Sequence, residues 1–272
     1  MFGIILLSVT AAMTAYVFWR MGSAPVAGRL PRRARLWLGV AVLCLVWLGR
    51  EAGHRYPDSS ARLVELVGMD LLAMVFLGFL FLLAADVVTL FGLVLPRLAR
   101  RLRGLALLAC VVLSAVAVVQ GLRAPVVTNY EVELPDLPPE LDGLTVAALS
   151  DLHVGTLLGT DWLAERVDQA MALEPDMVLL LGDVFDGHGI PRATLPPVLR
   201  RLSAPLGVYA VEGNHEVYAR EDRPLKLLRD NGIRVLHDGW TEPAPGLVLA
   251  GVRDLTIHYH RGGRSGPGDD PV

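Results

Sequence analysis

Residues 144–153 read Leu-Thr-Val-Ala-Ala-Leu-Ser-Asp-Leu-His, a mostly apolar run that ends in a carboxylate and an imidazole. Such a run is long enough to form a buried β-strand. Two more short apolar runs, Met177–Leu181 and Val208–Val211, also lead into polar groups. Each polar cluster therefore falls where a strand ends and a loop begins. The second and third clusters are Gly182-Asp183-Val184-Phe185-Asp186 and Gly213-Asn214-His215-Glu216.

Helical patterns separate these strands. Apolar residues recur at helical spacing over Asp161–Leu173, and Leu195–Leu202 is predicted as a short helix. A βαβαβ series implies parallel strands with helices packed on the sheet, so the predicted fold class is α/β. Binding sites in such sheets form at the carboxyl ends of the strands, where all three clusters fall. Pro224–Asp230 is predicted as another helix, and Val235–Leu236 and Leu247–Val252 as further strands.

The residue types in the clusters are those that bind divalent metal ions. Asp151 and His153 are separated by one residue, so in an extended turn they can point to the same side. Asp183 has two oxygens and can bridge two cations, and Asn214 offers a neutral carbonyl oxygen. Two divalent ions about 3.5–4 Å apart can hold a hydroxide between them and stabilise both the attacking and the leaving oxygen on phosphorus. The clusters therefore predict a metal site.

The three clusters resemble the first three signatures of calcineurin-like metallophosphoesterases, on Asp151-x-His153, Gly182-Asp183-x-x-Asp186 and Gly213-Asn214-His215-Glu216. The resemblance is to the bacterial membrane-anchored branch and covers roughly Asn129–Asp254. It implies a two-sheet αββα domain and hydrolysis of a phosphoester. It also implies two divalent metal ions, with Mn, Fe, Zn and Mg all left open.

Carried over by position, the resemblance implies a role for each residue. Asp151 and His153 would bind the first metal, Asp183 would bridge both metals, and Asn214 would bind the second. His215 is implied as the catalytic residue that hydrogen-bonds the phosphate and protonates the leaving oxygen. The residues implied to support these groups from behind are Asp186 and Glu216.

The family's later histidine and its Gly-His-x-His motif have no clear match in the chain. His258-x-His260 is the nearest candidate, but it lacks the glycine. Either the sequence is a truncated form of an active enzyme, or the polypeptide is a defective relative. We favour truncation at the C-terminus, because the motifs that are present are intact. His188 closely follows the second cluster and is either a substrate contact or, as we favour, a solvent-exposed loop residue. His237 is interpreted as an ordinary loop residue.

The first 123 residues have a different character. They contain 13 Arg, no Lys and 5 acidic residues, whereas the remainder contains 12 basic and 23 acidic residues. The whole chain is 53% hydrophobic, with a mean hydropathy of +0.46. The excess lies in four apolar stretches that predict about four transmembrane helices, although the second is short. These stretches are Phe2–Trp19, Leu36–Gly49, Leu71–Leu95 and Leu105–Gly121.

Arginines concentrate in the first and third connections between these stretches, which the positive-inside tendency places in the cytoplasm. An even number of spans then leaves the acidic half extracytoplasmic. Asp86 lies inside the third stretch, where a carboxylate is either a proton or ion relay or a structural partner. We favour the structural role, with a neighbouring helix or Arg97 as its partner.

Together these observations predict a transmembrane region at 1–123, a linker with an edge strand (Tyr130–Leu134) at 124–143, and a metallophosphoesterase domain at 144–272. The predicted function is that of a multi-pass, membrane-anchored phosphodiesterase or phosphatase. Its expected partners are the lipid bilayer and a lipid-linked or envelope phosphoester, without nucleic acid. The alternative is a catalytically defective membrane receptor or scaffold with a partial metal or phosphate site. A transporter regulated by the domain has only Asp86 in its favour.

Overall fold

The computed structural model describes residues 2–55, 59–121, 123–186, 189–218, 223–252 and 254. The chain divides into two compact units, Met1–Asn129 and Tyr130–Val272. The first unit is helical and the second is an α/β unit.

The helical unit contains four long helices, α1 (Phe2–Met21), α2 (Arg32–Arg55), α3 (Ser59–Val88) and α4 (Pro96–Gly121). Three of them are long and apolar enough to cross a membrane, judged by length and composition: α1, α3 and α4. Helix α2 does not meet the same criterion within the described residues, and arginines occupy both of its ends. The four-span count therefore stays a prediction.

Asp86 is fully buried within this unit, but its partner is not Arg97. Its Oδ1 accepts hydrogen bonds from Arg103 Nε at 2.8 Å and Nη2 at 2.6 Å. Its Oδ2 accepts a hydrogen bond from the Tyr16 hydroxyl at 2.5 Å. The prediction of a structural partner on a neighbouring helix fits these contacts, while the choice of Arg97 was wrong. Arg97 is an exposed residue of the first turn of α4, whereas Arg103 lies deeper in the helix and is buried.

The connector between the units does not contain the predicted edge strand. Residues 124–134 form no strand, and Tyr130 and Val132 have exposed fractions of 85% and 73%. The side chains of this segment alternate as they would in a strand. However, the first strand of the sheet pairs only with the second among the described residues, so the sheet is not extended by a strand from the connector.

The α/β unit is built on four parallel strands in the order β1-β2-β3-β4, and a separate antiparallel hairpin, β5–β6, follows. The strands are β1 (Val146–Leu149), β2 (Met177–Leu181), β3 (Val208–Val211), β4 (Arg234–Val235), β5 (Gly239–Ala244) and β6 (Leu247–Gly251). The helices are α5 (Thr160–Met171), α6 (Leu195–Leu199), α7 (Asn214–Tyr218) and α8 (Arg223–Arg229). The predicted parallel βαβαβ series is thus confirmed.

Alternation along the strands gives the sheet two covered faces. On one face, Val178 and Leu180 of β2 join the main core, to which α5 contributes Leu163 and Val167. On the other face, Met177 joins a smaller cluster that includes residues of the hairpin strand β6. Within the described residues, the hairpin covers part of this second face, and the two-sheet αββα arrangement stays a prediction.

Candidate metal centre

The loops after β1 and β2 lie against each other at the carboxyl edge of the sheet. The Asp151 N–H donates to the Gly182 carbonyl at 3.3 Å, and the His153 N–H donates to the Asp183 carbonyl at 2.9 Å. A third hydrogen bond joins the Val154 N–H to the Val184 carbonyl at 2.9 Å. These backbone hydrogen bonds hold the first polar cluster against the second.

The loops after β2 and β3 are joined by a close approach of two glycines. A Cβ on Gly182 would lie 3.0 Å from both the N and the Cα of Gly213, and Gly182 has a φ of +88°. A Cβ on Gly213 would lie 2.5 Å from Asp183 N and would collide with Asp183 Oδ1. Glycine is therefore required at both positions, because any larger residue would push the second and third clusters apart.

Three polar residues of the clusters adopt left-handed backbone conformations. The φ angles are +55° at Asp151, +44° at His153 and +50° at Asp183. Residues other than glycine rarely occupy this region, and such strain is concentrated at functional sites in proteins. The surrounding hydrogen bonds hold these side chains in directions that an extended loop would not give them.

His153, Asp183 and His215 come together as one group of potential ligands. Their donor atoms lie within 4.8 Å of one another. The two imidazoles pack edge to face, with ring centroids 4.6 Å apart, and each side chain is about one-third exposed. Asp183 Oδ1 accepts the backbone N–H of His215 at 2.9 Å. The mixture of imidazole nitrogen and carboxylate oxygen suits a divalent cation such as Zn, Mn or Fe.

The sequence also predicts Asp151 and Asn214 as ligands, and Asp151 is not in this group. Asp151 Oδ1 lies 3.7 Å from His153 Nε2, but the side chain is 68% exposed and its Oδ2 accepts a hydrogen bond from the Ser150 hydroxyl. Asn214 is the first residue of α7, directly before His215. The metal-binding roles of both residues stay predictions.

Asp186 approaches both imidazoles. Its Oδ1 lies 3.3 Å from His215 Nδ1 and 3.9 Å from His153 Nδ1. A carboxylate at this position favours an N–H on the facing nitrogen of His215 and leaves the other ring nitrogen to face the solvent side.

Glu216 connects the second and third loops from inside the unit. Its Oε1 accepts the N–H of Phe185 at 2.9 Å, and its Oε2 accepts those of Gly213 at 2.9 Å and Asp183 at 3.0 Å. The residue is only 3% exposed, and this burial raises the pKa of the Glu216 carboxyl although the three N–H donors act in the opposite direction.

The structure also places a histidine and a glutamate close together at this edge of the sheet. His237, which the sequence suggested was an ordinary loop residue, follows β4 and has its Nδ1 3.5 Å from Oε2 of the buried Glu212. Glu212 follows β3 and precedes Gly213. His237 follows a parallel strand, and this position in the sequence could have indicated that it lies at the same edge of the sheet. His188, His258 and His260 lie outside the described residues.

Comparisons with known proteins agree on one family. The model of the calcineurin-like phosphoesterase family matches residues 144–270. A Bos taurus protein called "Transmembrane protein with metallophosphoesterase domain" is 32% identical over 168 residues, which is 57% of this chain and 38% of that protein. A Danio rerio protein with the same name is 30% identical over 164 residues, 58% of this chain and 38% of that protein.

An "Uncharacterized metallophosphoesterase" of Aquifex aeolicus is 36% identical over 129 residues, which is 47% of this chain and 49% of that protein. The chain thus spans well under half of the length of the two animal relatives and about half of the Aquifex protein. No solved structure matches the chain.

Proposed function

We propose that this chain, whose residues 144–270 belong to the calcineurin-like phosphoesterase family, is a membrane-anchored, metal-dependent phosphoester hydrolase. The observation that carries the proposal is the group formed by His153, Asp183 and His215 at the carboxyl edge of the parallel sheet. Two imidazoles and a carboxylate that face solvent in this way are suited to metal-assisted hydrolysis.

Each residue of the site has a proposed part. His153 and Asp183 would hold divalent ions together with Asp151 and Asn214, and Asp183 would be shared between two ions because both of its oxygens can serve as ligands. Bound ions would supply the positive charge that activates water for attack on phosphorus and stabilises the phosphate oxygens.

His215 is proposed as the proton donor to the leaving oxygen. Its backbone N–H donates a hydrogen bond to Asp183, its Nδ1 lies beside Asp186, and its ring packs against that of His153. Its other nitrogen can then face a phosphate. If His215 acted mainly as a metal ligand, His215→Ala would weaken metal binding. As a proton donor, the same change would lower kcat and leave metal affinity unaltered.

The membrane part of the proposal rests on the three apolar helices and on the arginine-rich connections between the helices. With these connections in the cytoplasm, the phosphoesterase unit would face the extracytoplasmic side. A substrate at the membrane surface, such as a lipid-linked or envelope phosphoester, would then be the nearest one to the site.

Hydrolysis of bis-p-nitrophenyl phosphate by the full chain in detergent tests the proposal. We expect turnover that depends on Mn²⁺, is lost in chelator and is abolished by Asp183→Ala. Asp230→Ala is the matched control, because Asp230 is an exposed carboxylate whose described contact is the salt bridge to Lys226. Turnover that persists in chelator would exclude the metal mechanism, and metal binding without any turnover would favour a receptor or scaffold.

A further inference from the structure

A cavity of about 460 Å³ opens at one end of the helical unit. Its walls come from the connection between α1 and α2, from the connection between α3 and α4, and from the first turns of α4. Three arginines line it, namely Arg29, Arg100 and Arg103. No Asp or Glu is among the lining residues of the described chain, so the cavity has a positive character.

Arg103 lies on the inner wall of the cavity, where four hydrogen bonds hold its guanidinium in place. Besides its two bonds to Asp86, Arg103 donates from Nη1 to Ser23 Oγ at 3.0 Å and from Nη2 to the Phe91 carbonyl at 3.2 Å. Asp86 does not cancel the positive charge of this wall, because its other oxygen lies 2.5 Å from Nε of a second arginine, Arg20. Two arginines and one aspartate leave a net charge of +1.

The mouth of the cavity carries two more arginines. Arg29 and Arg100 are exposed, and neither has a carboxylate partner within the described part of the chain. Their side chains can therefore turn toward an anion without breaking an existing ion pair. With the charge of the inner wall, the cavity region has a net charge of +3.

The two connections that line the cavity also carry exposed apolar side chains. Val26, Leu93 and Val94 have exposed fractions of 74%, 85% and 62%, and they lie in the same two connections as the lining residues. Apolar side chains add no binding free energy for a soluble anion, whereas the acyl chains of a lipid can pack against them. The arginine content also predicts that this end of the unit faces the cytoplasm, where anionic lipids are enriched.

We propose that this cavity binds a phosphate-bearing anion, and that the anion is the headgroup of an anionic phospholipid. Arg29 and Arg100 would contact the phosphate at the mouth, and Arg103 would present a fixed positive wall behind it. Guanidinium groups suit this role because they donate paired hydrogen bonds to phosphate oxygens. The proposal concerns the helical unit alone and is independent of phosphoester hydrolysis.

Native mass spectrometry of the full chain in a non-ionic detergent tests this site. Phosphatidylglycerol and phosphatidylcholine with the same acyl chains are titrated separately, and inorganic phosphate and glycerol 1-phosphate are added as competitors. We expect one phosphatidylglycerol molecule to bind more tightly than phosphatidylcholine. The double variant Arg29→Gln/Arg100→Gln should weaken that binding by about tenfold or more.

The control is Arg33→Gln/Arg97→Gln, which removes the same charge from two exposed arginines that do not line the cavity. This variant should bind phosphatidylglycerol within about twofold of the unaltered chain. Equal losses in both double variants, or equal affinity for both lipids, would overturn the proposal. Competition by inorganic phosphate that disappears in the Arg29/Arg100 variant would keep the phosphate site but assign it to a soluble ligand. Asp183→Ala should leave lipid binding unchanged, which separates this result from the fate of the hydrolase proposal.

Discussion

Glu216 accepts the backbone N–H of Phe185 at 2.9 Å, although 31 positions separate the two residues in the chain. The same carboxylate also accepts the N–H groups of Gly213 and Asp183. Three donors from two loops thus converge on two oxygens of one buried side chain. The spacing between the second and third polar clusters is set by this carboxylate as well as by the strands.

Glu216→Gln should loosen both loops. An amide has only one acceptor oxygen, so its NH₂ group must face at least one of the three N–H donors. We expect an opening free energy lower by about 1–3 kcal/mol at the amides of Asp183, Phe185 and Gly213. Hydrogen exchange measured on the full chain reports this directly. Glu165→Gln, at an exposed position of α5, is the control, and unchanged protection of the three amides in Glu216→Gln would contradict the bracing role.

The buried carboxyl also predicts a pH dependence of stability. Burial raises the pKa of Glu216 above its ordinary value of 4.5, so the folded chain binds this proton at a higher pH than the unfolded chain does. The resulting contribution to stability is full below pH 4.5 and is lost as the pH rises through the folded-state pKa. In chelator, the difference in thermal midpoint between the original chain and Glu216→Gln should therefore shift in favour of the original chain as the pH falls. A difference that is independent of pH would contradict this assignment.

Gly213→Ala should separate the two loops that carry the proposed metal ligands. The added methyl would lie 2.9 Å from Asp183 Cγ and closer still to its Oδ1, so this carboxylate must move. We expect Mn²⁺ activation to require at least about tenfold more metal, because ligand geometry governs affinity. Gly159→Ala is the matched control, since its added methyl meets nothing within 4 Å. Similar metal affinity in the two variants would count against the close approach as a positioning device.

Asp186→Asn should impair His215 without removing a proposed metal ligand. The Asp186 carboxylate lies 3.3 Å from His215 Nδ1 and favours the N–H at that nitrogen. With an amide in its place, we expect kcat for an aryl phosphodiester to fall by about 10²-fold, while the Mn²⁺ dependence stays the same. Steady-state kinetics over a range of Mn²⁺ concentrations separate the two effects, with Asp230→Asn as the exposed control. A parallel loss of metal affinity would instead make Asp186 part of the metal site.

Asp86→Ala should destabilise the helical unit, because it leaves the buried guanidinium of Arg103 without its charge partner. Removing one member of a buried ion pair costs about 3–5 kcal/mol. The double variant Asp86→Ala/Arg103→Met should recover part of this loss, since only one of the two buried arginines beside Asp86, Arg20, then remains without its carboxylate. Thermal unfolding of the full chain in detergent checks both variants. Equal stability of Asp86→Ala and the unaltered chain would show that Arg103 does not depend on this carboxylate.

The parallel strands, and the gathering of the three polar clusters at their carboxyl ends, could be predicted because both depend on local patterns. Short apolar runs ending in Asp or Asn identified β1, β2 and β3, and parallel pairing brings their carboxyl ends to one edge. The helix predictions also came close, with α5 at Thr160–Met171 against the predicted Asp161–Leu173. In each case the deciding information lies within a few residues along the chain.

The differences arise where distant parts of the chain decide the outcome. Tyr130–Leu134 has strand-like alternation but no neighbouring strand to pair with among the described residues. Arg97 is close to Asp86 in sequence, yet helix rotation presents Arg103 to it instead. Asp151 stays outside the group of donors because its carboxylate is largely exposed and accepts a hydrogen bond from Ser150, which residue type alone does not reveal.

The left-handed backbone at Asp151, His153 and Asp183 lowers the stability of the fold at positions whose side chains belong to the proposed site. Glycine at any of the three would relax an unfavourable φ that costs of order 1–3 kcal/mol, but it would also delete a side chain of the proposed site. Selection for heat resistance alone would therefore favour glycine at positions that hydrolysis requires. Laboratory evolution of this protein should screen for turnover in every round, because its most thermally stable variants are expected to be among its least active ones.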